Sequence, residues 1–316
     1  LKEGYQAVFI AAGAKSSKRV GIEGEQEGLE GLYYGLQFLT DIRTGKNIHL
    51  KGKVVVLGGG NVAIDVARTA LRVGAQDIQI FYRRTKEEMP AWEKDIEEAL
   101  EEGVVLNTLW APKRILHREG KISGIQFVRS RTVVDEEGRS HLSLDEKSTQ
   151  SVEADAIIIS IGQAPDISFL SKDSQLERAL WGSLVVDENS LATNVPGIFA
   201  GGDFTTGPST VIRAIASGRR AALAIKRYLQ GEKGPLKITD EKSSMREEHR
   251  LALEEESIEE KPRARLEMER PEDRRRDFRE VEKGLNEKQA WYEAMRCLRC
   301  DLEKEIREME DSNEAW

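Results

Sequence analysis

The stretch Lys53–Ala70, KVVVLGGGNVAIDVARTA, constrains this 316-residue chain more than any other. A β-branched run enters three glycines and leaves as a helical pattern, the strand–G-x-G-x-x-A–helix arrangement of a dinucleotide site. Each position has a physical reason. Gly58 permits the tight turn, Gly60 lets backbone approach a diphosphate with no Cβ in the way, and Ala63 allows close packing of helix on strand. Gly59, Asn61 and Val62 complete the loop and the first helical turn, whose N–H groups and positive dipole end favour phosphate oxygens. A purely structural glycine turn is the alternative, and the flanking strand and helix weigh against it.

Nucleotide preference is set at the end of the next strand, about 20 residues further on, where a carboxylate would bind a ribose 2′-hydroxyl. Here the strand ends Ile80-Phe-Tyr-Arg83-Arg84. Two guanidiniums suit a 2′-phosphate, so Arg83 and Arg84 predict NADPH over NADH. An exposed basic strand end is the plainer reading.

Val54–Leu57, Ile78–Phe81, Ala156–Ile159 and Gly197–Ala200 read as buried strands, and 61–73 and 93–102 as helices. Such alternation predicts an α/β fold of parallel sheets covered by helices. Segment 122–153, with a polar break at Asp135-Glu-Glu-Gly138, reads as a small antiparallel insertion. Charge is uneven: residues 237–316 carry 18 basic and 25 acidic side chains, so this segment reads as solvated helix beyond a Gly/Pro-rich boundary at Gly231–Pro235. Its sparse apolar residues, Leu251 to Trp291, are candidates for docking on the body or on a partner. Asn286-Glu-Lys-Gln289 has the form of a capping box.

The formal net charge of −8 argues against nucleic-acid binding. No apolar run is long enough for a membrane span, no secretory leader is visible at the start, and two cysteines exclude a disulfide-stapled scaffold. The expectation is a cytoplasmic protein.

Thr193-Asn-Val-Pro-Gly-Ile-Phe-Ala-Gly-Gly202-Asp203 reads as a tight turn, a short strand, a glycine pair and an acid. A helical pattern starts at Ser209, Thr210 and Val211. An acid at a strand end beside a helix N-terminus suits a polyol–phosphate ligand; a turn-forming role for Asp203 is the alternative.

Thr193–Asp203 resembles the second FAD fingerprint of the flavoproteins with two dinucleotide-binding domains, the pyridine nucleotide–disulfide oxidoreductase superfamily. YQAVFIAAG (residues 5–13) and IISIGQAP (158–165) resemble the two crossings between their domains. GGGNVAIDVARTALRVGA, YRRTKEEMPAWEKDIEEALEEGV and TNVPGIFAGGD are similar to the NADPH-dependent glutamate synthase small subunit and its homologues. The resemblance covers roughly residues 5–230 and implies two Rossmann-like domains with a helical C-terminal extension. The carboxyl half of an FAD domain is expected at 1–37 and 166–235, an NADPH domain at 38–165, and the extension at 236–316. It implies that Asp203 binds the FAD ribityl chain, that Ser209, Thr210 and Val211 lie near the flavin, and that Gly13 and Gly162 lie where the chain passes the cofactors. The first FAD element and a cysteine-rich region would precede Tyr5, so the chain, which starts with Leu1, is expected to be a carboxyl-terminal portion.

Both cysteines, Cys297 and Cys300, lie in one C-x-x-C near the end of the chain. Two thiolates are half of a four-ligand set. A [4Fe–4S] cluster with ligands shared outside this chain, a thiol pair, and inert cysteines all remain open; the resemblance supports the half-site. No Ser-His-Asp or metal-hydrolase constellation is recognisable, and no catalytic residue is expected beyond the binding sites. The function implied is hydride transfer from NADPH to FAD, then electron transfer to iron–sulfur centres in an electron-acceptor subunit or a ferredoxin-like protein. An NADPH–ferredoxin or other redox-complex reductase subunit, and a non-catalytic nucleotide-binding scaffold, are the alternatives.

Overall fold

The computed structural model describes residues 4–26, 28–135, 138–171, 173–179, 182–232 and 262–294. The chain divides into two units, one of residues 1–243 with 275–277, the other of 244–274 with 278–316. The first unit runs β1 (Val8–Ile10), β2 (Ser16–Ser17), β3 (Leu32–Tyr34), α1 (Gly35–Arg43), β4 (Lys53–Leu57), α2 (Asn61–Arg72), β5 (Asp77–Tyr82), α3 (Glu93–Glu101), β6 (Val105–Thr108), β7 (Trp110–Arg118), β8 (Lys121–Val134), β9 (Ser140–Glu153), β10 (Ala156–Ile159), β11 (Gln163–Ala164), β12 (Ile198–Ala200), α4 (Asp203–Thr206) and α5 (Val211–Leu229). Among the described residues, no helix is long and apolar enough to cross a membrane.

The main sheet is parallel throughout, in the order β3-β10-β4-β5-β6. Its central strands, Val54–Leu57 of β4 and Ala156–Ile159 of β10, are apolar without a break because both faces are covered. Alternate side chains point to opposite faces. Val54, Val56, Ile78, Ile80 and Ile158 pack on α2 and α3 residues such as Ile64, Ala67 and Ile96. Val55, Leu57, Phe81, Ile157 and Ile159 pack on Ile115, Ile122, Ile125 and Phe127 of the antiparallel sheet β7-β8-β9. Phe81 and Phe127 stack with ring centroids 3.9 Å apart. Helix α2 buries Ala63, Ile64, Val66, Ala67, Ala70 and Leu71, the i, i+3, i+4 stripe of a helix with one apolar face. Strand β3 already pairs with β10, and Phe38 of α1 belongs to the core of this sheet. The boundary expected at 37/38 therefore falls inside α1, and the sheet begins at Leu32.

β1 and β12 form a separate parallel pair, with Ile10 opposite Ala200. The antiparallel pair β2–β11 connects the two systems, because β1 leads into β2 and β10 into β11.

A buried ion network ties α2 to the end of α3. The Glu102 side chain is fully buried and accepts from Arg68 Nη2 at 2.7 Å and Arg72 Nη1 at 2.8 Å; Arg68 also meets Glu98 at 3.0 Å. Burial pushes the Glu102 carboxyl up, but the hydrogen bonds from Arg72 and Arg68 outweigh it and hold the group below the usual carboxylate range. Removing one member leaves charge buried without its partner, so Glu102→Ala is expected to destabilise the unit by about 3–5 kcal/mol in urea titration. The depressed folded pKa makes this stabilisation complete above the unfolded value near about 4.3 and lost as pH falls through the folded one, so the gap between wild type and variant closes in acid.

In the second unit, Met268 bridges Glu282, and α6 (Pro271–Arg274) and α7 (Glu287–Ala294) are its described helices. The capping box opens α7: Asn286 N–H donates to Gln289 Oε1 at 3.0 Å, and Gln289 N–H to Asn286 Oδ1 at 2.9 Å. Cys297 and Cys300 lie outside the described residues.

Candidate functional site

Gly58 leaves the carboxyl end of β4 beside the carboxyl end of β10, the place in an open parallel sheet where ligands bind. Its φ is +140°, and a Cβ there would run into the Ser160 carbonyl. A Cβ on Gly59 would lie 2.5 Å from the Tyr82 ring. Gly60 is different. Its backbone is extended (φ −91°, ψ 173°), and an added Cβ would meet only Pro90 Cγ at 3.9 Å. Gly58 and Gly59 are therefore glycine for the protein's own packing, whereas Gly60 faces open space at the start of α2. No side chain caps that helix. Ala63 is fully buried under the strand, and Val62 packs at the edge of the same core. Asn61 points elsewhere: its Oδ1 accepts from Trp92 N–H at 3.0 Å, while Ala91 N–H donates to Gly59 O at 3.2 Å. These two bonds fasten the Pro90-Ala91-Trp92 turn onto the glycine loop, with the Trp92 ring 72% exposed.

Arg83 and Arg84 follow β5 at the same end of the sheet. Arg83 is exposed; Arg84 is half-buried. Arg84 Nε is buried with no hydrogen-bond partner, and so is Ser160 Oγ beside the glycine loop. Buried polar atoms are rarely left so. Beyond the arginines, the chain turns on Glu88. Its Oε2 accepts from Thr85 N–H at 3.0 Å, its Oε1 from the Thr132 hydroxyl at 2.9 Å, and its carbonyl from the Tyr82 hydroxyl at 2.8 Å. The Thr85 N–H and the Thr132 hydroxyl hold the Glu88 carboxyl below the usual range, and burial pushes the Tyr82 hydroxyl up.

The remaining expected residues lie on the linking strands and the β1–β12 pair. Gly13 follows β1, and a side chain there would meet no protein atom within 4 Å. Gly162 follows β10; its carbonyl accepts from Lys18 N–H at 3.0 Å, and an added Cβ would meet only Lys18 Cδ at 3.6 Å. At the end of β12, Gly201 N–H donates to Ile10 O and Gly202 N–H to the buried Ser217 hydroxyl at 2.9 Å. Asp203 is the first residue of the short α4, not an isolated acid between strand and helix. Helix α5 starts at Val211: Thr210 is its N-cap, accepting from Arg213 N–H, and Ser209 precedes it. Ser209 is thus outside the helix expected to begin with it. Val211, Ile212 and Ile215 expose 77%, 71% and 62% of their surface.

Ser130, Thr132 and Ser217 are not legible in the sequence as supports of this region, because each bonds a group distant in sequence: the Arg83 carbonyl, the Glu88 carboxylate and the Gly202 N–H. Among the described residues, no group of three His, Cys, Asp or Glu side chains is placed to hold a metal ion.

Fold and site together define a protein with a dinucleotide-type glycine loop on a parallel sheet, joined by two crossings to a second strand pair ending in an acid. The model of the pyridine nucleotide-disulphide oxidoreductase family matches residues 2–218, and the chain belongs to that family. It is 42% identical over 251 residues to the NADP(+)-dependent formate dehydrogenase subunit beta of Moorella thermoacetica, covering 78% of this chain and 35% of that protein. It is 36% identical over 247 residues to the glutamate synthase [NADPH] small chain of Escherichia coli, covering 73% of this chain and 52% of that one. The chain thus spans about a third to a half of these curated relatives. Among solved structures, Mycobacterium tuberculosis FprA in complex with NADPH superposes with a TM-score of 0.61 at 19% identity over 73% of this chain and 65% of that one, a likeness of fold.

Proposed function

We propose that this chain is the nucleotide-handling portion of a flavoprotein that oxidises NADPH and passes the electrons to a partner carrying iron–sulfur centres. One observation carries the reading. Gly58 after β4, Gly162 after β10, Gly13 after β1 and Asp203 after β12 all follow the carboxyl ends of parallel strands, and the β2–β11 pair joins the segments that leave β1 and β10. The names of the relatives above, each carrying NADP or NADPH, point the same way.

The residues fit both groups. Open space over Gly60 is the room a diphosphate needs, and the Arg84 guanidinium, which bonds the Tyr82 side chain, keeps its Nε without a hydrogen-bond partner. Gly13 and Gly162 also border open space, at positive φ values (+70° and +131°) that favour glycine by themselves. Bound NADPH supplies a hydride and bound FAD accepts it, releasing electrons one at a time; the protein contributes binding and orientation. Gly60 and the start of α2 hold the diphosphate. Arg83 and Arg84 hold the 2′-phosphate. Asp203 would accept a hydrogen bond from a ribityl hydroxyl, and Thr210 and Val211 at the start of α5 would line the flavin site. The Asn61–Trp92 bond keeps the 90–92 turn over the glycine loop. The test is anaerobic mixing of the flavin-loaded whole gene product with NADPH, its visible flavin absorbance bleaching if the reading holds.

A further inference from the structure

The tip of β5 is held from the far side of the sheet. Arg83 O accepts from the Ser130 hydroxyl at 2.7 Å, and Arg84 O accepts from Leu109 N–H at 3.0 Å. Ser130 N–H in turn donates to Leu109 O at 3.0 Å, closing a ring of three hydrogen bonds through Leu109 and Ser130 around the two arginine carbonyls. Leu109 reaches this position with φ +64°, a left-handed conformation a leucine adopts only under constraint. Ser130 is 2% exposed, so its hydroxyl is shielded from bulk solvent. Two residues along β8, the Thr132 hydroxyl reaches the Glu88 carboxylate, which holds Thr85 N–H, the next amide after the arginines. Two residues before Arg83, Phe81 stacks on Phe127 of the same strand. Strand β8 therefore holds the tip at three successive points, through Phe127, Ser130 and Thr132. The aromatic stack and the packing of Ile115, Ile122 and Ile125 on the main sheet already hold the two sheets together. The polar bonds fix something narrower, the path of the backbone that carries Arg83 and Arg84.

We propose that the antiparallel sheet is a specificity frame: Ser130, Thr132 and Glu88 are positioning residues that aim the arginine pair at the 2′-phosphate of the dinucleotide. The inference rests on the reading of Arg83 and Arg84 given above, and it extends discrimination to three residues that need not touch the ligand. A bidentate guanidinium bond depends steeply on geometry, so a tip freed to move loses the phosphate contact while the diphosphate contact at Gly60 stays. The readout is accordingly a ratio of affinities.

The experiment is calorimetric titration of the 316-residue chain with NADP⁺ and NAD⁺. The variants are Ser130→Ala, Thr132→Val, Glu88→Gln, Thr132→Ser and the double variant Arg83→Ala/Arg84→Ala, each with its thermal midpoint. Ser130→Ala and Thr132→Val are expected to lower the NADP⁺/NAD⁺ affinity ratio at least about fivefold, the scale of one lost hydrogen bond, with NAD⁺ affinity within about twofold of wild type; Thr132→Ser, which keeps the hydroxyl, restores the ratio. If the double arginine variant loses discrimination while Ser130→Ala, Thr132→Val and Glu88→Gln all keep it, the frame is wrong and the arginine reading stands. If the double arginine variant keeps the ratio, both fail. A parallel loss of both affinities with a lowered midpoint means a structural role only, and overturns the proposal.

Discussion

Gly60→Ala is expected to lower the thermal midpoint by no more than about 4 °C, the cost of alanine at a helix N-cap in otherwise open space, and to weaken NADPH binding by about 100-fold or more. Both halves come from the same geometry. Gly60 has an extended backbone that any residue adopts, and its added Cβ would meet nothing closer than Pro90 Cγ at 3.9 Å. Glycine suits the N-cap of α2 only modestly better than alanine, whereas the proposed approach of a diphosphate to the backbone would need it. Gly58→Ala is the matched control with the opposite pattern. Its φ of +140° and the Ser160 carbonyl in the path of a Cβ make the substitution a folding defect of about 2–4 kcal/mol. Calorimetric titration and thermal melts on the two variants separate a ligand-facing glycine from a packing glycine. Equal effects of both variants on stability would remove the distinction.

The second large effect is on nucleotide choice. With Arg83→Ala/Arg84→Ala, kcat/KM for NADPH is expected to fall about 100- to 1000-fold, since each charge-assisted contact contributes about 1.5–3 kcal/mol. The value for NADH should move less than about threefold. Arg84→Ala alone should carry the larger share, because its guanidinium is the half-buried one and is steadied by the Tyr82 side chain. Arg84→Lys should recover only part of the loss, since an ammonium keeps the charge but not the planar fork. An unchanged ratio of the two kcat/KM values in the double variant would mean that the pair is only a basic strand end.

The parts of this architecture that were legible in the sequence are those governed by local pattern. β4 and β10 follow from unbroken apolar runs, β5 from Ile78, Ile80 and Phe81, α2 from a helical stripe, and the capping box at Asn286 and Gln289 from residues three apart. Strand β3 could not be read, because Leu32–Tyr34 is three half-buried residues whose strand character comes from pairing with β10. Most of β9 was hidden for a related reason: SHLSLDEKSTQSVE is largely exposed, has no apolar alternation, and is held by the ladder to β8. In the site, the glycine loop and the arginine pair carry their chemistry in adjacent residues. The Ser130–Arg83 and Thr132–Glu88 bonds span 47 and 44 positions and exist only once the antiparallel sheet is folded against β5. Helix α5 starting at Val211 rather than Ser209 is a smaller instance, since Thr210 competes successfully for the cap.

The central claim is that one nucleotide held at Gly58–Ala63 delivers its electrons to a flavin held at Asp203. Stopped-flow mixing of the flavin-loaded whole gene product with NADPH in the absence of oxygen tests it most directly. The account predicts full bleaching of the flavin absorbance, at a rate that saturates with NADPH and is lost in Gly60→Ala. A flavin that stays oxidised while NADPH is bound would contradict it.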